Sequence, residues 1–492
     1  MSADNASAAT APVGLGAAAA RGAAMTFGGQ ACKVSLQFGG IIFLARLLSP
    51  ADYGLVAMVT AIVGVAEVLR DFGLSSAMVQ APNVSLAQRS NLFWINSGIG
   101  AVLAAAVCAA APAIAAFYHQ PALESVTRAL AFSFFLNGLA TQFRAQLNRD
   151  MRFGRLAAVD VTAMAVGLAV GLSLAFNGRG HWALVGQQLS QAVATLTMLI
   201  VASGWRPGLP RRGVEMGRFL RYGGNLMGTQ LISYASRNID ALIIGNRFGA
   251  ELLGLYNRAY QLLMLPLNQI NAPATSVALP VLSRLHNDPE RYARFLLHGQ
   301  ALILHVTIAI FTFACAQAEP LIVLVLGPQW APAVPIFRVL AFAGIFQAAA
   351  TATYWVFLSK GLTGSNLRFT LSSRLFVISG IALGSLWGVP GIAVALSVGA
   401  ATTWLWGLAW LRDTGAPVGA MLGNGLRIVA AYGSCGVASA AASAFLAGPL
   451  APRLALGTVV MLAAFLLVTS LWPAFRRSVA DILRGRSLLR AG

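Results

Sequence analysis

The sequence predicts an all-α polytopic membrane protein of about fourteen spanning helices, set as two parallel six-helix lobes followed by two further helices. Three observations carry that prediction. First, 58% of the 492 residues are hydrophobic and only 10% are charged, whereas soluble domains carry about 25% charged residues. A soluble enzyme is excluded on that ground. Second, apolar segments of spanning length recur to the end of the chain. Third, the two halves echo one another at a nearly constant offset.

In order, the segments fall near 24–48, 52–79, 90–117, 124–147, 155–177 and 181–203, then 218–246, 251–282, 294–326, 332–358, 366–387, 389–411, 424–449 and 453–475. Several exceed the ~20 residues a bilayer needs, so tilted or projecting helices are expected. Residues 1–22 are rich in Ala and Ser without a basic stretch ahead of an apolar core, and read as a disordered cytoplasmic tail rather than a signal peptide. The remaining divisions are an N-terminal lobe at 23–204, a linker at 205–217 and a C-terminal lobe at 218–412. Helices 13 and 14 lie within 413–475, and a basic tail occupies 476–492.

Charge sets the orientation. The net charge of +19 would suit nucleic acid, but the arginines collect in alternate short loops instead. One group is Arg144, Arg149, Arg152 and Arg155; the next is Arg206, Arg211, Arg212, Arg218 and Arg221. Then come Arg284, Arg291 and Arg294, followed by Lys360 and Arg368, and by Arg476, Arg477, Arg484, Arg486 and Arg490 in the tail. The opposite loops are nearly bare, which places both termini in the cytoplasm. The four cysteines, Cys32, Cys108, Cys315 and Cys435, have no metal or redox spacing and read as core residues.

The repeat pairs Arg128-Ala129-Leu130-Ala131-Phe132 with Arg338-Val339-Leu340-Ala341-Phe342, 210 positions later. The same offset aligns Asn137 with Gln347, Thr141 with Thr351, Gly178 with Gly388 and Ala183 with Ala393; Gly54-Leu55 matches Gly254-Leu255. Equivalent segments lie an even number of helices apart, so the lobes point the same way and are expected to share an axis along the membrane normal, with a polar cleft between them.

Polar stripes name the surfaces expected to face that cleft, since an ionised group facing lipid costs several kcal/mol. Segment 1 carries Gln30, Lys33 and Gln37; segment 2 carries Thr60, Glu67, Arg70 and Asp71. Segment 4 carries Asn137, Thr141, Arg144 and Asn148. In segment 7, Asn225, Thr229, Ser233, Ser236 and Asp240 share one face at ~100° per residue, with Arg237 at its edge. Segment 8 carries Asn257, Arg258, Gln261, Asn268 and Asn271.

Lys33 reads as an unpaired cation that either snorkels or lines the cavity, and its depth favours the cavity. Arg237 and Asp240, three residues apart, either neutralise each other or leave Arg237 for substrate. Arg258 is expected to line the cavity. Glu67, Arg70 and Asp71 form an interfacial salt-bridge knot or serve gating and ion coupling, and Asp240 is a second coupling candidate. Asp160 is expected to pair with an arginine, and His305 to be a satisfied core histidine. With cations in excess, the solute is expected to be an anion. No phosphate-binding loop, zinc cluster or catalytic acid pair is visible, so neither cofactor nor enzyme activity is expected.

The stretch LARLLSPADYGLVAMVTAIVGVAEVLRDFGLSSAMVQ (44–80) resembles the start of Wzx-type polysaccharide flippases, and LGLYNRAYQLLMLPLNQI (253–270) resembles their eighth helix. These belong to the multidrug/oligosaccharidyl-lipid/polysaccharide superfamily, and the likeness is strongest to its colanic-acid and exopolysaccharide exporter branch. The resemblance implies transfer of undecaprenyl-pyrophosphate-linked oligosaccharide from the cytoplasmic to the periplasmic leaflet of the inner membrane. It also implies cavity cations on helices 1, 2, 7 and 8, where Lys33, Arg70, Arg237 and Arg258 stand. Membrane lipids, a polysaccharide polymerase and chain-length proteins are the implied partners. A drug antiporter of the same superfamily would favour an acidic cavity. A membrane polymerase or ligase would carry a large outer loop, absent between these segments.

Overall fold

A computed structural model describes residues 15–71, 74, 78, 84–213, 216–446 and 448–484. Those residues are helical throughout their ordered elements, with no strand among them. Helices α1 (Leu15–Leu47), α2 (Pro50–Asp71), α3 (Leu86–Phe117), α4 (Ala122–Arg149), α5 (Phe153–Phe176) and α6 (Trp182–Ser203) follow one another closely. Then come α7 (Gly217–Arg284), α8 (Pro289–Ala316), the short α9 (Ala318–Leu326), α10 (Val334–Ser359), α11 (Thr363–Gly384) and α12 (Gly388–Trp410). The chain ends in α13 (Val418–Phe445), α14 (Leu450–Leu471) and α15 (Pro473–Arg484).

The predicted tail at 1–22 lies partly outside the described residues, and 15–22 belong to α1. Segments 7 and 8 form one helix, α7, broken at Gly249, whose φ of 86° suits glycine. The predicted gap at 247–250 brackets that break. The start of the predicted basic tail is the helix α15.

Local chemistry explains several of these limits. At the start of α2, Ser49 and Asp52 cap each other: Asp52 N donates to Ser49 Oγ at 3.2 Å and Ser49 N to Asp52 Oδ2 at 3.0 Å. Pro50 takes the first helical turn, where a missing N–H costs nothing. Helix α3 repeats the device, with Ser85 and Gln88 exchanging bonds of 2.9 and 3.1 Å. Such a cap is worth about 1 kcal/mol.

Nine spans among the described residues are long and apolar enough to cross a membrane by composition. Helices α1, α4 and α7 fall outside those nine, and each carries a polar stripe. Their polar and ionisable residues lower the hydropathy that the remaining spans keep.

The chain divides into two compact units, Met1–Leu48 with Ile62–Ala235, and Ser49–Ala61 with Ser236–Gly492. The division therefore falls inside α2 and α7 rather than in the linker at 205–217.

Within the first unit α1 packs on α5, α3 on α4, α5 on α6 and α4 on α6. The linker is stitched to α3: Asn91 Nδ2 donates to Arg211 O at 2.8 Å, Arg211 N returns a bond to Asn91 Oδ1 at 2.9 Å, and Trp94 Nε1 donates to Gly208 O at 2.9 Å.

Within the second unit α8, α10 and α12 form the core around Trp355 and Trp404, both fully buried. The last helices dock on α8 and α9. Gln317 Nε2 donates to Ser439 Oγ at 2.8 Å, and Arg453 pairs with Glu319 at 3.0 Å. Phe475 of α15 is fully buried against His305, Tyr432, Phe465 and Trp472. His305 has two partners, Tyr432 Oη at 3.2 Å and Ser478 Oγ at 2.9 Å, the environment of a satisfied core histidine.

The internal repeat is visible in local geometry. Gly178 and Gly388 both adopt positive φ, 68° and 78°. Cys108 Sγ lies 3.8 Å from Arg128 O, and Cys315 Sγ lies 3.6 Å from Arg338 O. Both pairs join cysteine to the carbonyl of a repeat-equivalent arginine.

Candidate functional site

In the first unit α1 and α5 run side by side in the same direction, with Gly29 against Ala157 and Gly40 against Leu168. That register brings Lys33 level with Asp160, and Lys33 Nζ lies 3.6 Å from Asp160 Oδ2. The helices α4 and α5 form a hairpin that returns Arg144 to the same carboxylate, Nη2 to Oδ1 at 2.6 Å. Lys33 is therefore not the unpaired cation its sequence context suggests; its partner comes from a helix 127 positions away. The three side chains keep 37%, 39% and 26% of their surface free for Lys33, Arg144 and Asp160. Two cations face one carboxylate, so the cluster is net positive. Gln30 is exposed and Gln37 half-buried on the same helix.

Arg70 is clamped. It pairs with Glu67 at 2.7 Å and donates to Thr141 Oγ1 at 2.6 Å and Asn137 O at 3.1 Å. The stripe of α4 thus serves two neighbours: Asn137 and Thr141 receive α2, while Arg144 receives α5. Asp71 ends α2, and its side chain lies outside the described residues.

The second unit holds the other candidates. Arg258, expected to line a polar cavity, is only 6% exposed. Its guanidinium lies 3.8 Å from the ring centroid of Tyr53 and 5.7 Å from that of Trp330, and Nη1 donates to Gln261 Oε1 at 2.7 Å. Its burial has a simple cause: α2 crosses α7 here, and Tyr53 of α2 together with Trp330 of the turn after α9 closes over the cation. Asp240 is buried and accepts from Tyr256 Oη at 2.6 Å and Ala241 N at 2.9 Å. Tyr256, rather than Arg237, is the side chain that bonds it. Arg237 is exposed and lies within electrostatic reach of Tyr260 and Arg374. The side chains of Asn225, Thr229, Ser233 and Ser236 lie outside the described residues.

Sequence reasoning missed Arg144 and Asp160 as partners of Lys33, and missed Arg374 altogether. Arg374 sits in the middle of the apolar helix α11. An ionisable residue at that depth is itself a functional signal. Among the described residues no group of three or more His, Cys, Asp or Glu is placed to hold a metal ion.

A family model described as polysaccharide biosynthesis protein matches residues 43–335, more than half of the chain. The chain belongs to that family. Among the proteins it is similar to, the teichuronic acid biosynthesis protein TuaB of Bacillus subtilis (strain 168) is 26% identical over 68% of this chain and 70% of its own. The lipopolysaccharide biosynthesis protein WzxC of Escherichia coli (strain K12) is 23% identical over 69% and 70%. The succinoglycan biosynthesis transport protein ExoT of Rhizobium meliloti (strain 1021) is 24% identical over 64% of each.

Solved structures give the fold. The lipid II flippase MurJ, in an inward closed conformation, superposes with a TM-score of 0.69 at 13% identity, covering 93% of this chain and 99% of that one. An inward-facing multidrug resistance MATE transporter of the MOP superfamily gives 0.62 at 14%, covering 80% and 96%. This polysaccharide biosynthesis protein is thus a multi-pass membrane protein with the MOP fold that the sequence predicts.

Proposed function

We propose that this protein is a flippase that carries undecaprenyl-pyrophosphate-linked oligosaccharide repeat units from the cytoplasmic to the periplasmic leaflet of the bacterial inner membrane by alternating access. Both termini are cytoplasmic in this reading, and a polysaccharide polymerase and chain-length proteins receive the product. The observation that carries it is the cluster of Lys33 and Arg144 on Asp160, a net positive site within an apolar lobe. A pyrophosphate diester brings about two negative charges, whose passage through bare hydrocarbon is prohibitive. Lysine and arginine supply charge-assisted hydrogen bonds to phosphate oxygens in place of water.

Each expected residue then has an assigned part. Lys33, with Gln30 and Gln37 on the same helix, receives the headgroup. Arg237, joined by Arg374, offers a second cationic station, with Asn225 earlier on the same helix. Arg258 and Gln261 act by holding the start of α2. Glu67, Arg70 and Asp71 work the other end of α2 as a gate, and the buried Asp240 is the coupling carboxylate. No nucleotide is needed, because the membrane potential favours outward movement of anions.

The test is transport of fluorescent lipid-linked oligosaccharide by purified protein in proteoliposomes. Lys33→Ala, inserted normally, should lower the initial rate at least tenfold, in line with loss of a charged hydrogen bond worth about 1.5–3 kcal/mol. Unchanged transport would remove the site, and absence of transport by the unsubstituted protein would remove the function.

A further inference from the structure

Asp160 places one carboxylate between two cations. It comes from α5 and meets cations from two other helices, α1 and α4, so no local helical pairing rule explains the arrangement. The two bonds are unequal. Arg144 holds Asp160 Oδ1 at 2.6 Å, whereas Lys33 approaches Oδ2 only to 3.6 Å, beyond ordinary hydrogen-bond length. Among the described residues Lys33 makes no other ion pair and no hydrogen bond, and Arg144 uses one bond of the five its guanidinium offers. Most of the donor capacity of both cations is therefore free, on side chains with over a third of their surface open.

We propose that Asp160 is a resident counter-ion that competes with the cargo, and that this competition makes the site select diphosphate headgroups over the singly charged phosphodiesters of ordinary membrane lipids. The inference rests on the transport reading above. A phosphodiester brings one negative charge, the same as Asp160. The carboxylate is tethered, so its effective concentration at the two cations is high and a single-charge rival gains little by displacing it. A diphosphate diester brings two charges and more acceptor oxygens to the same two cations. It can take Lys33 away from Asp160 and still bond the unused donors of Arg144. Bulk phospholipid vastly outnumbers the cargo, so a cluster of bare cations would be saturated by it. The carboxylate removes that background. It also closes over the cations when the cargo leaves, which speeds release.

The experiment uses the full chain in nanodiscs of zwitterionic lipid. Two soluble probes compete against a fluorescent prenyl diphosphate: farnesyl-diphosphate-linked N-acetylglucosamine with about two charges, and dihexanoyl phosphatidylglycerol with one. The unsubstituted protein should prefer the diphosphate at least tenfold. Asp160→Asn should bind both probes more tightly and lower the preference to about threefold or less, while Asp160→Glu keeps it. Lys33→Gln, which leaves a neutral Arg144–Asp160 pair, should reduce diphosphate binding to the level of the phosphodiester. This second variant decides the matter if Asp160→Asn does not fold. A preference unchanged in Asp160→Asn, or retained in Lys33→Gln, would overturn the counter-ion role while leaving transport standing. If the unsubstituted protein binds neither probe, the transport reading and the counter-ion both fall.

Discussion

Arg258 shows how one residue can hold a membrane helix in place. Its guanidinium is flat and weakly hydrated for a cation, so it stacks on Tyr53 at 3.8 Å while Gln261 takes one of its donors. A desolvated cation–π contact is worth about 2 kcal/mol. Lysine keeps the charge but loses the stacking plane. Arg258→Lys should therefore destabilise the protein by about 1–2 kcal/mol, read as a lower Tm in detergent. Tyr53→Leu should cost a similar amount, and the double variant little more than either, because both remove the same contact. Fully additive losses would show that Arg258 is held by something else. That Arg258 is buried was not legible in its own neighbourhood. Asn257-Arg258 and Gln261 read as a polar stripe, and the enclosing rings come from positions 53 and 330.

At the scale of elements, the crossing of α2 with α7 depends on two glycines that the repeat had already paired. A Cβ on Gly54 would collide with the carbonyl of Ala250, and one on Gly254 with the carbonyl of Pro50. The contact is reciprocal, since each glycine meets the residue four places before the other. Backbones approach this closely only where side chains are absent, which makes the site intolerant of volume. Gly54→Leu should prevent the crossing and cost more than the 1–3 kcal/mol typical of overpacking. Gly54→Ala should lie between it and the parent, as measured by the fraction recovered as a monodisperse peak after extraction. Equal recovery of parent and Gly54→Leu would refute the close crossing. The sequence flagged Gly54 and Gly254 as equivalents but not as neighbours, because a repeat reports similarity and not distance. It located the break in α7 well, since Gly249 sits between two apolar runs and only glycine adopts its backbone conformation readily.

For the whole molecule, the proposed transport has an electrical signature. Each charge moved through 100 mV is worth about 2.3 kcal/mol. Outward passage of two negative charges across the full field is thus favoured by about 4–5 kcal/mol. If cavity cations travel with the cargo, the same drive falls on their return. Either way, collapsing an inside-negative potential in proteoliposomes should slow net export several-fold, and reversing its sign should suppress it. A rate indifferent to potential at constant pH and sodium would exclude a potential-driven cycle.

The chain's own order of residues determined its class, its succession of long apolar helices, the break in α7 and the repeat. Each depends on hydropathy or backbone chemistry that is local or periodic, and so can be read along a line. Tertiary structure decided which charges meet: Lys33 with Asp160 and Arg144, Arg258 with Tyr53 and Trp330, Asp240 with Tyr256 rather than Arg237. Those partnerships depend on the rotation and register of one helix against another. A shift of one residue turns a side chain by ~100°, and no local pattern fixes that angle.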